Sequence, residues 1–325
     1  MTVLVTGAAG FIGYHVATAL LARGEQVVGI DNVNDYYDVA LKEARLAQLD
    51  NLDGFTFHRI DIAEYDALTK TLSGAGIDRA VHLAAQAGVR YSLDHPFAYI
   101  RANLMGQASM LELCRHLPDF HHLVYASSSS VYGTSSTLPF SIDARADQPV
   151  SLYGATKRAD ELMGYSYSHL YRIPQTGLRF FTVYGPWGRP DMAMYIFSRK
   201  IVAGEPIPVF NQGDMKRDFT YIDDIVSGVV AALDSPLSDT GDAAPHRVYN
   251  IGNNRSEPLM RMIGLLEDAL GRKAEIEFLP MQAGDVQETY ADITDIRNDL
   301  GFEPTMPIDQ GIPKFVDWFR DYEGA

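Results

Sequence analysis

Cysteine is almost missing from this chain of 325 residues. Cys114 is the only one, which excludes an internal disulfide and any thiolate metal cluster. It sits in the apolar stretch Met110-Leu-Glu-Leu-Cys-Arg115 and reads as a buried structural thiol; no metal site is expected. Positive charge is also scarce. Lysine and arginine number 27 against 42 acidic residues, a formal net charge of −15, which argues against nucleic acid or an anionic membrane as partner. No apolar run approaches the roughly 20 residues of a membrane span, and there is no low-complexity tract or internal repeat. The first strand begins at Thr2, leaving no room for a signal peptide, so a cytoplasmic protein is expected.

What is present is alternation. Val3–Val5, Gln26–Ile30, Phe55–Ile60, Arg79–Leu83, His122–Ala126 and Thr176–Phe180 read as strands. Helical patterns lie between them, over Phe11–Arg23 and near residues 40–50, 63–72, 97–116 and 152–172. Strand and helix in turn predict an α/β chain with a doubly wound parallel sheet of the Rossmann type. After Phe181 the pattern breaks at Pro186, Pro190, Pro206 and Pro208. A dinucleotide-binding domain is therefore expected over 1–181 and a smaller C-terminal substrate-binding lobe over 182–325. The helix Asp223–Leu233 and the strand Arg247–Ile251 are expected to return to the first domain, within residues 221–251.

Two motifs carry chemistry. Gly7, Gly10 and Gly13 form Gly-x-x-Gly-x-x-Gly between a strand and a helix. Such glycines permit a tight turn and close backbone approach to a pyrophosphate, which the helix N-terminus stabilises. Asp31 ends the second strand, where its carboxylate would accept bonds from a ribose diol and repel a 2′-phosphate. That favours NAD over NADP. Phe11, Ile12, Asn32, Asp61, Ile62, Leu83, Ala84 and Ala85 are expected to line the same cofactor site, with Asp61 near the adenine amino group. His82 reads as a packed core histidine. The second motif is Tyr153 and Lys157, whose spacing puts both on one helical face. A free phenol loses its proton only near pH ~10, and a nearby ammonium favours the phenolate, so the pair is a candidate acid/base.

Together these residues resemble the extended short-chain dehydrogenase/reductase family, over almost the whole chain, and within it the nucleotide-sugar branch. The resemblance implies NAD in the N-terminal domain and a nucleoside-diphosphate sugar in the C-terminal lobe. It places the family's catalytic set on Ser128, Tyr153 and Lys157. In Ser127-Ser-Ser-Ser-Val-Tyr-Gly133, dehydratases and decarboxylating enzymes of the branch resemble sequences with an acid just before Val-Tyr. Ser129 and Ser130 occupy those positions in this chain, which leaves oxidation and re-reduction.

Asp31-Asn-Val-Asn-Asp-Tyr-Tyr-Asp-Val39, Ala84-Ala-Gln-Ala-Gly-Val-Arg-Tyr-Ser92, Thr182-Val-Tyr-Gly-Pro-Trp-Gly-Arg-Pro-Asp-Met192 and Met215-Lys-Arg-Asp-Phe-Thr-Tyr-Ile-Asp-Asp224 resemble UDP-glucuronate 4-epimerases. The expected substrate contacts are Arg90, Ser128, Ser129, Thr182, Arg189, Phe210, Arg217 and Asp285. Arg189 with Thr182 is the candidate carboxylate pair and Arg217 the pyrophosphate contact, because a planar guanidinium can bond two oxygens at once. Phe210 is placed either to stack on uracil or to join the apolar core. The alternatives are another UDP-sugar 4-epimerase, a UDP-glucuronate decarboxylase, or a non-catalytic nucleotide-sensing protein; the last commonly lacks the Tyr/Lys pair. Leu104, Met105, Met110, Leu111, Leu162, Met163 and Leu170 exceed one clean helical face, and the family commonly pairs these two helices, so a homodimer is expected.

Overall fold

The computed structural model describes residues 1–134, 137–282 and 285–324. Strands β1 (Thr2–Thr6), β2 (Gln26–Asp31), β3 (Phe55–Arg59), β4 (Ile77–His82), β5 (His122–Ser128) and β6 (Gln175–Phe180) share one sheet with the strand His246–Ile251. Its order is His246–Ile251, β6, β5, β4, β1, β2, β3, and every pairing is parallel. Parallel neighbours need crossovers, and the helices that supply them bury both sheet faces. In β1, Val3 and Val5 join a core with Val16 and Leu20 of α1 (Phe11–Ala22) and Ile225 of the helix Ile222–Asp234. Leu4 points the other way, into a core with Met110, Leu111 and Leu123. The architecture is α/β and doubly wound.

The chain moves outward from β1 through β2 to β3, and in the opposite direction from β4 through β5 to β6. Between β1 and β4 the order reverses, and such a switch point opens a crevice at the carboxyl ends of the strands. Gly7, Leu83 and the serine run at the end of β5 all lie along that edge.

The region after Phe181 is more helical than its prolines suggest. Helices Ala193–Ala203, Leu259–Leu270 and Ile308–Glu323 pack Phe197, Leu266, Phe315 and Phe319 into a separate core with Val209. Two-stranded pairs join Thr182–Tyr184 to Phe219–Tyr221 and Ile207–Phe210 to Ile276–Leu279.

The helix expected over 97–116 is divided. A π-helical turn, Ile100–Met105, separates Pro96–Tyr99 from Gly106–His116. Wider turns of this kind let a side chain point where a regular helix would not put it. In this turn it is Asn103, 1% exposed, which accepts from Gln86 N at 2.8 Å and donates to Thr156 Oγ1 at 2.9 Å. Met110 and Leu111 are fully buried beneath the sheet, so internal packing accounts for them; Met105, Leu162 and Leu170 are exposed. Among the described residues no helix is long and apolar enough to cross a membrane.

Candidate active site

A cavity of about 430 Å³ runs along the switch-point edge. Its first wall is the turn after β1. Gly7 has φ +74°, and a Cβ there would meet Ala84 N at 2.8 Å; one on Gly13 would stand 2.0 Å from Gly7 O. Gly7 and Gly13 must therefore lack side chains, and α1 begins directly behind the turn, its first N–H groups lacking intrahelical acceptors. That cradle fits a pyrophosphate. Phe11, Ile12, Ile62, Leu83, Ala84 and Ala85 line the same cavity.

At the end of β2, Asp31 accepts from Ala9 N at 3.2 Å and Val33 N at 2.7 Å. Burial pushes its carboxyl up, with Lys42 among the groups that oppose this. Asn32 and Asp61 also line the cavity, and Asp61 is oriented by Ala63 N at 2.9 Å. His82 lies behind, 4% exposed and bonded to Thr6 Oγ1 at 2.6 Å. Burial lowers its pKa to about 3, so it stays neutral.

The opposite wall is the helix Leu152–Tyr171. Ser151 caps it by accepting from Gly154 N at 3.0 Å, which fixes Tyr153 in the first turn. Gly154 permits close packing: a Cβ there would lie 2.5 Å from Ser130 O. The serine run is thereby held against the start of the helix, and Ser128, Ser129, Tyr153 and Lys157 all line the cavity. Lower on the helix, Glu161 receives two bonds of 2.8 Å from Arg179 in β6 and one of 2.5 Å from Ser127. This buried network fixes the helix to the sheet.

The third wall comes from the C-terminal half. Thr182, Arg189, Arg217 and Asp285 line the cavity. Thr182 N donates to Asp218 O at 3.1 Å, which sets the strand. Arg217 Nη1 donates to Lys216 O and Gln287 O, at 2.8 and 3.1 Å. Arg189 is already paired: Nε and Nη2 go to Asp191, at 3.0 and 2.5 Å. Arg90 and Phe210 are not among the lining residues. They meet beside the cavity, with the Arg90 guanidinium 5.1 Å from the Phe210 ring centroid and 3.4 Å from Asp285.

Sequence reasoning missed Lys42, Tyr36 and Gln86, all on the cavity wall. Lys42 is buried and donates to Asn34 O and Oδ1, at 2.6 and 2.7 Å. A signal existed. Leu41, Lys42, Arg45, Leu46 and Leu49 form one buried stripe of α2 (Val39–Asp50), so a helical projection places the lysine among leucines.

Comparison with known proteins agrees with this geometry. A UDP-glucuronate 4-epimerase of Arabidopsis thaliana is 46% identical, over 100% of this chain and 78% of its own length. A probable UDP-glucuronate 4-epimerase of Rhizobium meliloti is 45% identical over 100% and 99%. The crystal structure of UDP-glucuronic acid 4-epimerase from Bacillus cereus, with UDP-glucuronic acid and NAD, superposes with TM-score 0.91 at 37% identity, covering 99% of this chain and 100% of that one. Residues 3–252 match the model of the NAD dependent epimerase/dehydratase family, and the chain belongs to that family.

Proposed function

We propose that the chain interconverts UDP-glucuronate and UDP-galacturonate at C4, with NAD held in the Gly7–Gly13 cradle. One observation carries this: a single cavity joins that cradle to Ser128, Tyr153 and Lys157 and to Thr182, Arg189 and Arg217. The similar proteins named as UDP-glucuronate 4-epimerases support it.

When bound, NAD supplies the oxidant and then the reductant for the sugar C4. Asp31 would hold its adenosine ribose and Lys157 its nicotinamide ribose. Tyr153, as phenolate, takes the proton of the 4-hydroxyl and later returns it; Ser128 hydrogen-bonds the same oxygen and orients it. Between these events the 4-keto sugar turns its other face to the cofactor. Ser129 and Ser130 place no carboxyl group there, so neither water elimination nor assisted decarboxylation has its acid. Arg217 bonds the pyrophosphate, while Phe210, with Arg90 and Asp285 beside it, takes the uracil end.

Thr182 and Arg189 receive the uronate carboxylate and hold it against CO₂ loss from the keto acid. The enzyme works as a cytoplasmic homodimer in this reading, joined through exposed Met105, Leu162 and Leu170. The test is direct: incubation with UDP-glucuronate should yield UDP-galacturonate without added NAD beyond that bound. UDP-pentose as the main product would overturn the assignment.

A further inference from the structure

Lys157 is not a free ammonium. Its Nζ donates to Asp160 Oδ2 at 3.0 Å, one helical turn on, and the two side chains are 4% and 1% exposed. The other carboxylate oxygen, Asp160 Oδ1, is buried with no hydrogen-bond partner among the described residues. Such an arrangement costs folding free energy, because an ion pair rarely recovers the desolvation of a carboxylate left half satisfied. The helix has no need of it, since aspartate is a poor helix former away from the first turn. Burial raises the Asp160 carboxyl to about 6, against the pull of Lys157. A group that is expensive to keep, next to the candidate acid/base pair, points to a functional role.

The surroundings single it out. Glu161, the next residue, is committed to Arg179, Arg158 and Ser127. Tyr125 of β5 faces both acids, and burial, then Glu161 and Asp160, keep its phenol protonated. His82 of β4 faces Lys157 and is neutral. Among the described residues, Asp160 is the one carboxylate paired with Lys157.

We propose that Asp160 is a positioning residue that acts through Lys157, holding the ammonium in place and setting the pH range in which an ionised Tyr153 and a charged Lys157 coexist. This rests on the proposed roles of Tyr153 and Lys157. A negative charge favours the protonated form of every neighbouring group. Its removal therefore makes it easier for both Tyr153 and Lys157 to lose a proton. The acidic limb of the activity profile, where the base ionises, and the alkaline limb, where the ammonium is lost, move in the same direction. A residue that only packed the helix would change the height of the profile and leave its limbs in place.

The experiment measures kcat/KM for UDP-glucuronate across the acidic to alkaline range, using NAD-loaded enzyme. Asp160→Asn, which keeps shape and hydrogen bonding, should move both limbs to lower pH by about half a unit or more. Asp160→Glu, which keeps the charge, should leave them near the wild-type positions. Bound NAD reports folding for each variant, and Asp160→Ser replaces Asp160→Asn if the latter does not fold. Limbs that stay put while activity falls would overturn the proposal, as would an equal shift in Asp160→Glu. Tyr153→Phe is run alongside. If it is inactive and Asp160→Asn leaves the limbs unmoved, the Asp160 role alone fails; if it keeps wild-type turnover, the roles of Tyr153 and Lys157 fail first.

Discussion

Arg189, on the cavity wall, is held by Asp191 two residues on in a two-pronged ion pair, with Nε and Nη2 of the arginine at 3.0 and 2.5 Å from the carboxylate oxygens. Tyr36 completes it by donating to Asp191 Oδ2 at 2.9 Å. The sequence presents Arg189 as a cation ready for the substrate. The structure shows it paired with Asp191, so a substrate carboxylate held there, as proposed, would meet an arginine already set in orientation.

Arg189→Ala should then harm a uronate in two ways, by removing the cation and by uncovering Asp191. Affinity for UDP-glucuronate should fall by about 2–5 kcal/mol, and affinity for UDP should change little. Adding Asp191→Asn to that variant should recover part of the loss, because the uncovered charge is gone. Calorimetric titration with both ligands decides. Equal losses for UDP and UDP-glucuronate would remove Arg189 from the carboxylate.

Tyr153→Phe should retain bound NAD and lose epimerisation, because the ring packing against Tyr99, at 6.1 Å between centroids, survives without the hydroxyl. General acid–base groups contribute about 10²–10⁴-fold, and a loss of that order in kcat is expected. Turnover within about tenfold of wild type would exclude Tyr153 as the base.

The parts of the site written in the sequence are those where the backbone itself is constrained. Gly7 and Gly13 are legible because no other residue fits. Tyr153 and Lys157 are legible because one helix fixes their spacing. What the sequence hides depends on side chains meeting across the fold. Arg45 is fully buried and ties Ala9 O, Tyr37 Oη and Trp187 O together, the last 142 positions away. The pairings of Lys157 with Asp160 and Arg189 with Asp191 are local, yet neither spacing distinguishes a buried pair from two solvated charges. The helices Ala193–Ala203, Leu259–Leu270 and Ile308–Glu323 are obscured because prolines and glycines within or beside them mask their apolar stripes.

Gly13→Ala should release the cofactor. A methyl group 2.0 Å from Gly7 O cannot be accommodated without moving the turn, and overpacking of that kind costs about 1–3 kcal/mol. The purified variant should carry much less NAD than wild type and regain activity only as NAD is added in excess. Wild-type NAD content would show that the glycine turn is not the cradle.

Leu162→Glu with Leu170→Glu should dissociate the proposed dimer. Both side chains are more than half exposed, at 55% and 64%, so the monomer's own core loses nothing and surface substitutions of this type are nearly neutral for folding. Light scattering should report the mass of one chain, with unfolding temperature close to wild type. An unchanged dimer would place the interface elsewhere.

The fate of the hydrogen at C4 tests the chemistry most directly. Oxidation and re-reduction at one carbon, with the cofactor held throughout, requires that the hydrogen leaving C4 be the one that returns. Proton exchange is then confined to the 4-hydroxyl oxygen, where Tyr153 is proposed to act. UDP-glucuronate labelled with deuterium at C4 should thus give UDP-galacturonate retaining the label, and no free NADH should accumulate. A mechanism that instead removed a carbon-bound proton with a protein base would exchange the label with solvent. Mass spectrometry of the product sugar separates the two, and loss of deuterium would exclude oxidation and re-reduction at C4.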